Sequence, residues 1–451
     1  KLVEKLQQLN ALFEQYGGSK PIYITEVGWP THDGARGISE LMAASYGIRT
    51  AVLSISTGMV PYMSWYNLEN KYETRYFGGK EASKKHSEDN FGLVRTTLGD
   101  EEVPLAAKDN FVAFTALNQM LAGAQFNKAY EAHDPIRLYH FNRNRKQDFL
   151  VLWSLKGPQT IGLKVGIDSV RFVDVFGNSY NLKTQNGIVA LTVTEIPFYL
   201  EGDFDSVEIV AAPIVISGDY WKVWAGETLE IDLSVHQQIP TGKMLLDLPS
   251  GWRLLGDSDL CEGKQKLVIQ LPKQATAQKY ELVLYPYFNN NIQGRLVVET
   301  EVVDSAILNV APHFQLNDDG TVDSKLAINI KNSTAGQTLS GTLNIINPTV
   351  KNQNLVFNEI GPGEEQTLFV KLDQEQNLVI PVNVSARLNT GQLYSVEKTV
   401  AFLGANRVTA GSNPFAETQS TIHFQLNKAD QIRMMTDWGG PDDLSAKGFF
   451  S

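Results

Sequence analysis

Tyr23-Ile24-Thr25-Glu26-Val27-Gly28-Trp29-Pro30-Thr31 is an apolar strand that ends in a carboxylate and is then turned by Gly, Trp and Pro. What surrounds it decides the fold of the first quarter of the chain. Upstream, Leu2, Leu6, Leu9 and Phe13 repeat at helical spacing and Gly17-Gly18 stops the helix, so a helix is expected over 2–16. Downstream, a second helix is expected over Ser39–Thr57 with Gly58 as its C-cap, then a strand over Val60–Tyr66. A polar loop follows, Asn67–Asn90, and a last helix over Lys108–Leu121. The order α-β-α-β-loop-α is the pattern of parallel-sheet units.

Past residue 126 the texture changes. Short β-branched and aromatic runs alternate with turn clusters such as Phe176-Gly177-Asn178, Pro249-Ser250-Gly251 and Gly361-Pro362-Gly363. This predicts a series of β-sandwiches, with boundaries near 204, 310 and 405 and a linker at Gly404–Pro414. Ile209–Ile216 reads as one buried strand. Asn317-Asp318-Asp319-Gly320 reads as a hairpin turn, its spacing failing the calcium-loop pattern. Trp221 and Trp224, three apart, cannot share one face of a regular strand.

Composition narrows the function. The 451 residues are 43% hydrophobic and 20% charged, which suits an ordinary globular chain with several cores. A formal charge of −11 repels a phosphate backbone, so no nucleic-acid partner is expected. The one cysteine, Cys261, leaves no disulfide framework and no thiolate zinc site. No window reaches the ~20 apolar residues of a membrane span. The seven His residues are scattered, and dinucleotide, Walker and Gly-x-Ser-x-Gly motifs are missing, so no cofactor or metal is expected. Sequons at Asn332 and Asn383 matter only in a eukaryotic secretory route.

Two strand ends could carry chemistry. Glu26 lies where barrels of parallel strands point their catalytic groups. Trp65, in Trp65-Tyr66-Asn67-Leu68-Glu69, offers a ring on which the C–H face of a sugar can stack. The loop beyond carries Tyr72, Tyr76, Phe77, His86, Glu88 and Asp89, and its length suits a functional loop.

Taken together, Pro21–Pro30, Trp65–Leu68 and Glu88-Asp89-Asn90-Phe91-Gly92-Leu93-Val94 resemble the last part of a clan A glycoside hydrolase barrel. The resemblance covers residues 1–126. It implies the last two strands of a (β/α)8 TIM barrel, with Glu26 as the nucleophile of a retaining mechanism and Trp65 as the floor of the subsite for the attacked sugar. Trp29 and Glu69 join Trp65 as expected substrate-binding residues. Phe91-Gly92-Leu93 resembles the segment that re-enters the barrel before its final helix. The acid/base partner should follow an Asn at the end of a fourth strand, which these residues do not include. The chain is therefore expected to be a fragment of a secreted or cell-surface enzyme, inactive alone.

Residues 127–204 resemble the small β-sandwich that supports such barrels. Residues 205–310 and 311–405 read as immunoglobulin-like sandwiches, more suited to spacing than to sugar binding. Residues 406–451 combine a linker with a stretch, Thr436–Ala446, that resembles the opening of a carbohydrate-binding module of the family-nine type. The fold class is thus α/β followed by multidomain all-β. The expected partner is a carbohydrate; sugar, linkage and oligomeric state are left open. The rival reading is a non-catalytic carbohydrate-binding or adhesion protein with a degenerate barrel. A third makes the protein a transglycosylase, which would share the carboxylates and exclude water. The run Ile22–Val27 is expected to present an unpaired parallel edge.

Overall fold

The computed structural model describes residues 1–402 except 33, 35, 72–84, 97–104, 131–133, 144–146, 219, 237–241, 317–321, 348–349 and 372–377. The expected loop aromatics Tyr72, Tyr76 and Phe77, the Asn317–Gly320 turn, the Gly404–Pro414 linker and the 406–451 module lie outside the described residues. The protein is dominated by strands and falls into two compact units, one spanning Lys1–Asp304 and one beginning at Ser305. No helix among the described residues is long and apolar enough to cross a membrane.

The first unit opens with α1 (Leu2–Gln15), β1 (Tyr23–Val27), α2 (Glu40–Ser56), β2 (Tyr62–Trp65) and α3 (Asp109–Leu121). These match the expected elements, with trimmed ends. Ser39 starts α2 by accepting a hydrogen bond from the Met42 amide on Oγ (3.2 Å), which satisfies one of the open donors of the first turn. Thr57 is the C-cap of α2, and Gly58, at φ 66°, is the left-handed residue just beyond it. β1 and β2 pair in parallel, and among the described residues each has the other as its sole neighbour. Tyr23 and Tyr62, opposite each other, are 60% and 55% exposed. The core on this side is small: Leu6, Ile22 and Val60, edged by Leu2, Phe13, Ile24 and Met59.

A β-sandwich follows: β3 (Ala124–Tyr130), β4 (Ile136–Arg143), β5 (Asp148–Ser154), β6 (Gln159–Lys164), β7 (Ser169–Val173), β8 (Ser179–Lys183), β9 (Ile188–Val193) and β10 (Phe198–Gly202). Six of them form one sheet in the order β3-β4-β5-β10-β7-β8. Both of its faces are buried. Leu138, Leu150, Leu152 and Leu200 meet Leu163, Val189 and Leu191 of β6 and β9. Tyr139, Phe141, Phe149, Trp153 and Tyr199 meet Ile48 and Val52 of α2 and Leu117 and Met120 of α3. Burial on both faces explains why β5 reads as a continuous apolar run rather than an alternating one.

The rest of the first unit is a second sandwich. β11 (Glu208–Val210) continues the sheet of β6 and β9, whereas β12 (Ile214–Ser217) enters a different one. Ile209–Ile216 is therefore two strands, not the one expected. The break falls at Pro213, which has no amide to donate to a ladder. β12 pairs with β14 (Thr228–Val235), which pairs with β18 (Gly263–Gln270), with β16 (Arg253–Leu255) at the far edge. The facing sheet holds β13 (Trp221–Trp224), β15 (Gly242–Asp247), β17 (Asp259–Leu260), β19 (Gln278–Phe288), β20 (Asn291–Ile292) and β21 (Gly294–Val303). β21 also pairs with β9, at Gly294↔Ala190, so one sheet runs through both sandwiches. A Cβ on Gly294 would lie 2.5 Å from the Ala190 carbonyl oxygen, so this join needs glycine.

The second unit is a sandwich of β22 (Ala306–Leu316), β23 (Val322–Asn332) and β26 (Glu365–Lys371) against β24 (Leu339–Asn347), β25 (Val350–Ile360), β27 (Leu378–Leu388) and β28 (Leu393–Phe402). Leu326, Ile328 and Ile330 of one sheet meet Leu343, Phe357 and Val384 of the other.

Candidate functional site

The C-terminal ends of β1 and β2 bring Trp29 and Trp65 into contact and set Glu26 one residue before the Val27↔Trp65 pair. The register is Ile24↔Met63 and then Val27↔Trp65, so β1 carries one extra residue within Thr25-Glu26. A bulge of this kind bends a strand and re-aims its side chains. Thr25 and Glu26 are consecutive exposed residues, which a regular half-buried strand would not give. Among the described residues the Glu26 carboxylate has no hydrogen-bond or ion-pair partner.

The chain leaves β1 in close contact with the end of β2. The Tyr66 amide donates to the Val27 carbonyl at 2.8 Å. A Cβ on Gly28 would sit 2.2 Å from the Tyr66 carbonyl oxygen, so glycine lets the two backbones touch. The Tyr66–Asn67 peptide bond is cis. Trp29 and Trp65 then meet, with ring centroids 5.7 Å apart. Trp65 also meets Phe114 of α3 edge-on at 5.0 Å, and Trp29 meets Tyr46 of α2 at 5.6 Å. Trp65 Nε1–H donates to the Phe91 carbonyl at 3.0 Å, fixing the ring. Gly47 makes room for it: a Cβ there would lie 3.0 Å from Trp65 Cζ3 and 2.5 Å from Phe114 Cζ. Both tryptophans are half-buried.

The segments beyond β1 and β2 are tied to each other. Glu69, half-buried, bridges Val94 in parallel, so Phe91–Val94 runs beside Asn67–Glu69. At the centre is Lys108, just before α3, with 1% of its surface exposed. Its ammonium donates to Thr31 Oγ1 (2.8 Å), Asn70 Oδ1 (2.8 Å) and the Asn90 carbonyl (3.2 Å). Asn70 Oδ1 also accepts the Gly92 amide at 3.0 Å. A buried ammonium demands such partners. One lysine thereby holds together the turn after β1, the segment after β2 and the entry to α3. Sequence reading missed this cluster, although Lys108 was its one visible signal: a cation at the start of an apolar helix. His86 precedes and Asp89 ends a single 3-10 turn, Ser87–Asp89; their side chains are 3.8 Å apart and Asp89 is buried. Among the described residues no group of His, Cys, Asp and Glu is arranged to hold a metal ion.

No protein-family model matches this chain, and no curated protein sequence does. Solved structures similar to parts of it include Salmonella alpha-2-macroglobulin reacted with methylamine, at 12% identity, covering 61% of this chain and 23% of that one, with a TM-score of 0.19. The teleost fish polymeric Ig receptor ectodomain matches at 10% identity over 42% of this chain and 97% of its own, with a TM-score of 0.18. The D0–D1 domain of intimin matches at 11% over 42% and 97%, with a TM-score of 0.17. At these TM-scores the likenesses assign neither a family nor an activity.

Proposed function

We propose that residues 1–126 supply part of the active site of a retaining glycoside hydrolase, with Glu26 as its nucleophile. One observation carries this reading. A carboxylate with no partner among the described residues lies in the bulged end of a parallel strand whose neighbour ends in a tryptophan packed on a second tryptophan. Exposure leaves Glu26 open to a substrate, and Trp65, held by Phe91 and Phe114, is a fixed surface for a sugar ring. Glu26 attacks the anomeric carbon, the glycosidic bond breaks, and the leaving oxygen takes a proton from a second carboxylic acid ~5–5.5 Å away. Water then releases the sugar from Glu26, with that second group acting as base. The acid is assigned to neither Glu69 nor Glu88, and the 451-residue chain alone is proposed to be inactive. Trp29 and Glu69 complete the substrate-binding set. In this reading β1 and β2 are the last strands of a TIM barrel, and 127–204 supports it. The 205–310 and 311–405 blocks are immunoglobulin-like spacers, 406–451 opens a carbohydrate-binding module, and the protein works outside the cell.

The test is covalent trapping in the natural full-length protein that carries this chain, using a panel of 2-deoxy-2-fluoro glycosides and peptide mass spectrometry. The expected result is an adduct on the peptide containing Glu26, absent in Glu26→Gln, whose melting temperature stays within about 2 °C of wild type because an exposed unpaired group is replaced. An adduct on another carboxylate would overturn the assignment. Polysaccharide binding without any adduct would favour a carbohydrate-binding protein instead.

A further inference from the structure

A second site lies on the other side of α3, independent of the Glu26 reading. Between the C-terminal turn of α3 and the six-stranded sheet is a cavity of about 390 Å³, within the range of small-molecule sites. Its wall carries Arg143 of β4, Arg171 of β7 and Glu201 of β10, and its rim carries Gln119 and Gln147. The Glu201 side chain, 8% exposed, receives Arg143 Nη2 on one oxygen and Arg171 Nη1 on the other, each at 2.5 Å. Arg143 is also buried, its side chain 5% exposed, and its Nε donates to the Gln147 carbonyl at 2.7 Å. Nη1 of Arg143 has no partner among the described residues. Arg171 is half-exposed and uses Nε and Nη2 on Ser179 Oγ.

The charge balance is uneven. Two guanidiniums face one carboxylate, leaving one positive charge. The carbonyl end of α3 offsets about half of it. Two other acids lie nearby in the sequence: Asp148 turns to the opposite face of the sheet, where it meets His140 and Asn142, and Asp174 is engaged by the Phe176 and Asn178 amides and the Asn178 side chain. A buried guanidinium with an open nitrogen, in a cavity rimmed by amides, is a receptor for an anion that can also accept and donate hydrogen bonds. We propose that this cavity binds a small hydroxylated carboxylate, the size of one sugar acid. Its carboxylate accepts from Arg143 Nη1, and its hydroxyls meet Gln119 and Gln147.

The test is calorimetric titration of the 451-residue chain with D-glucuronate, D-glucose and sodium sulfate. Saturable binding of glucuronate, with glucose and sulfate at least about tenfold weaker, is expected. Two variants place the site. Arg171→Gln removes the surplus charge from a half-exposed position, and Gln119→Trp fills the mouth from an exposed one. Each should weaken glucuronate at least about tenfold, the first by removing the surplus positive charge and the second by blocking entry, with an unchanged circular dichroism spectrum. Failure of wild type to bind glucuronate would overturn the proposal. So would equal binding of glucose or sulfate, or full binding by both folded variants. None of these outcomes bears on trapping at Glu26.

Discussion

The two sheets of the first unit that carry functional proposals are built in opposite ways. Among the described residues, the β1–β2 pair has one neighbour per strand and a core of three buried residues. The six-stranded sheet is apolar on both faces and clamped between α2–α3 and the strands β6 and β9. The first places a charged group in the open; the second buries the Arg143–Glu201 pair, with Arg171 reaching it from a half-exposed position. Rigidity and exposure are thus divided between neighbouring layers. The link between them is α2 and α3, which touch the tryptophans through Tyr46 and Phe114 and the sheet through Ile48, Val52, Leu117 and Met120.

That contrast can be broken most directly with Trp153, which is 1% exposed and stacked on Tyr139 at 5.0 Å. Trp153→Ala should cost about 3–5 kcal/mol in a denaturant titration, whereas Tyr23→Ser on β1 should stay within about 0.5 kcal/mol. Equal losses would erase the distinction. Next in size is Lys108→Met, which strips the ammonium from Thr31, Asn70 and Asn90 and should cost about 2–3 kcal/mol. A stability unchanged by that substitution would show that the turns are held by other contacts. Gly28→Ala should cost about 1–3 kcal/mol because the new methyl meets a carbonyl oxygen that cannot move alone. Its amide-exchange changes should concentrate at Val27 and Tyr66; changes spread over β4 and β5 would contradict the layering.

The smallest effect is the contribution of His140, in the clamped sheet, to the pH dependence of stability. Burial lowers the His140 pKa from its ordinary 6.5, more than the hydrogen bond and charge of Asp148 raise it. The unfolded chain then takes up its proton first, so stability is present above about 6.5 and falls as pH drops from there through the lowered value. Melting curves between pH 8 and 5 should show this slope in wild type and a shallower one in His140→Gln; an identical slope would remove His140 as its source.

Much of this was written along the chain. Leu2, Leu6 and Phe13 announce α1, and Ser39 and Gly58 bracket α2. These signals are local, set by periodicity and caps. What was not legible depends on distant pairing. Ile209–Ile216 looked uniform because hydropathy does not say which sheet a strand joins. The bulge at Thr25-Glu26 exists only against the register of β2. Lys108 finds its partners 18 to 77 residues away, and Arg143 meets Glu201 58 residues on. Glu26 and Trp65 were visible as strand ends and Trp29 as part of a turn; that the two indoles touch was not.

The double-sided sheet also bears on how such a protein can be rearranged over generations. Phe141, Phe149 and Trp153 are a footprint shaped to Ile48, Val52 and Leu117. Splicing residues 1–126 onto an unrelated sandwich would leave that footprint unmatched and strand two helices with greasy flanks. The first two hundred residues therefore travel as one cassette. Shuffling is expected at joints such as the one before Ser305, where a new compact unit begins.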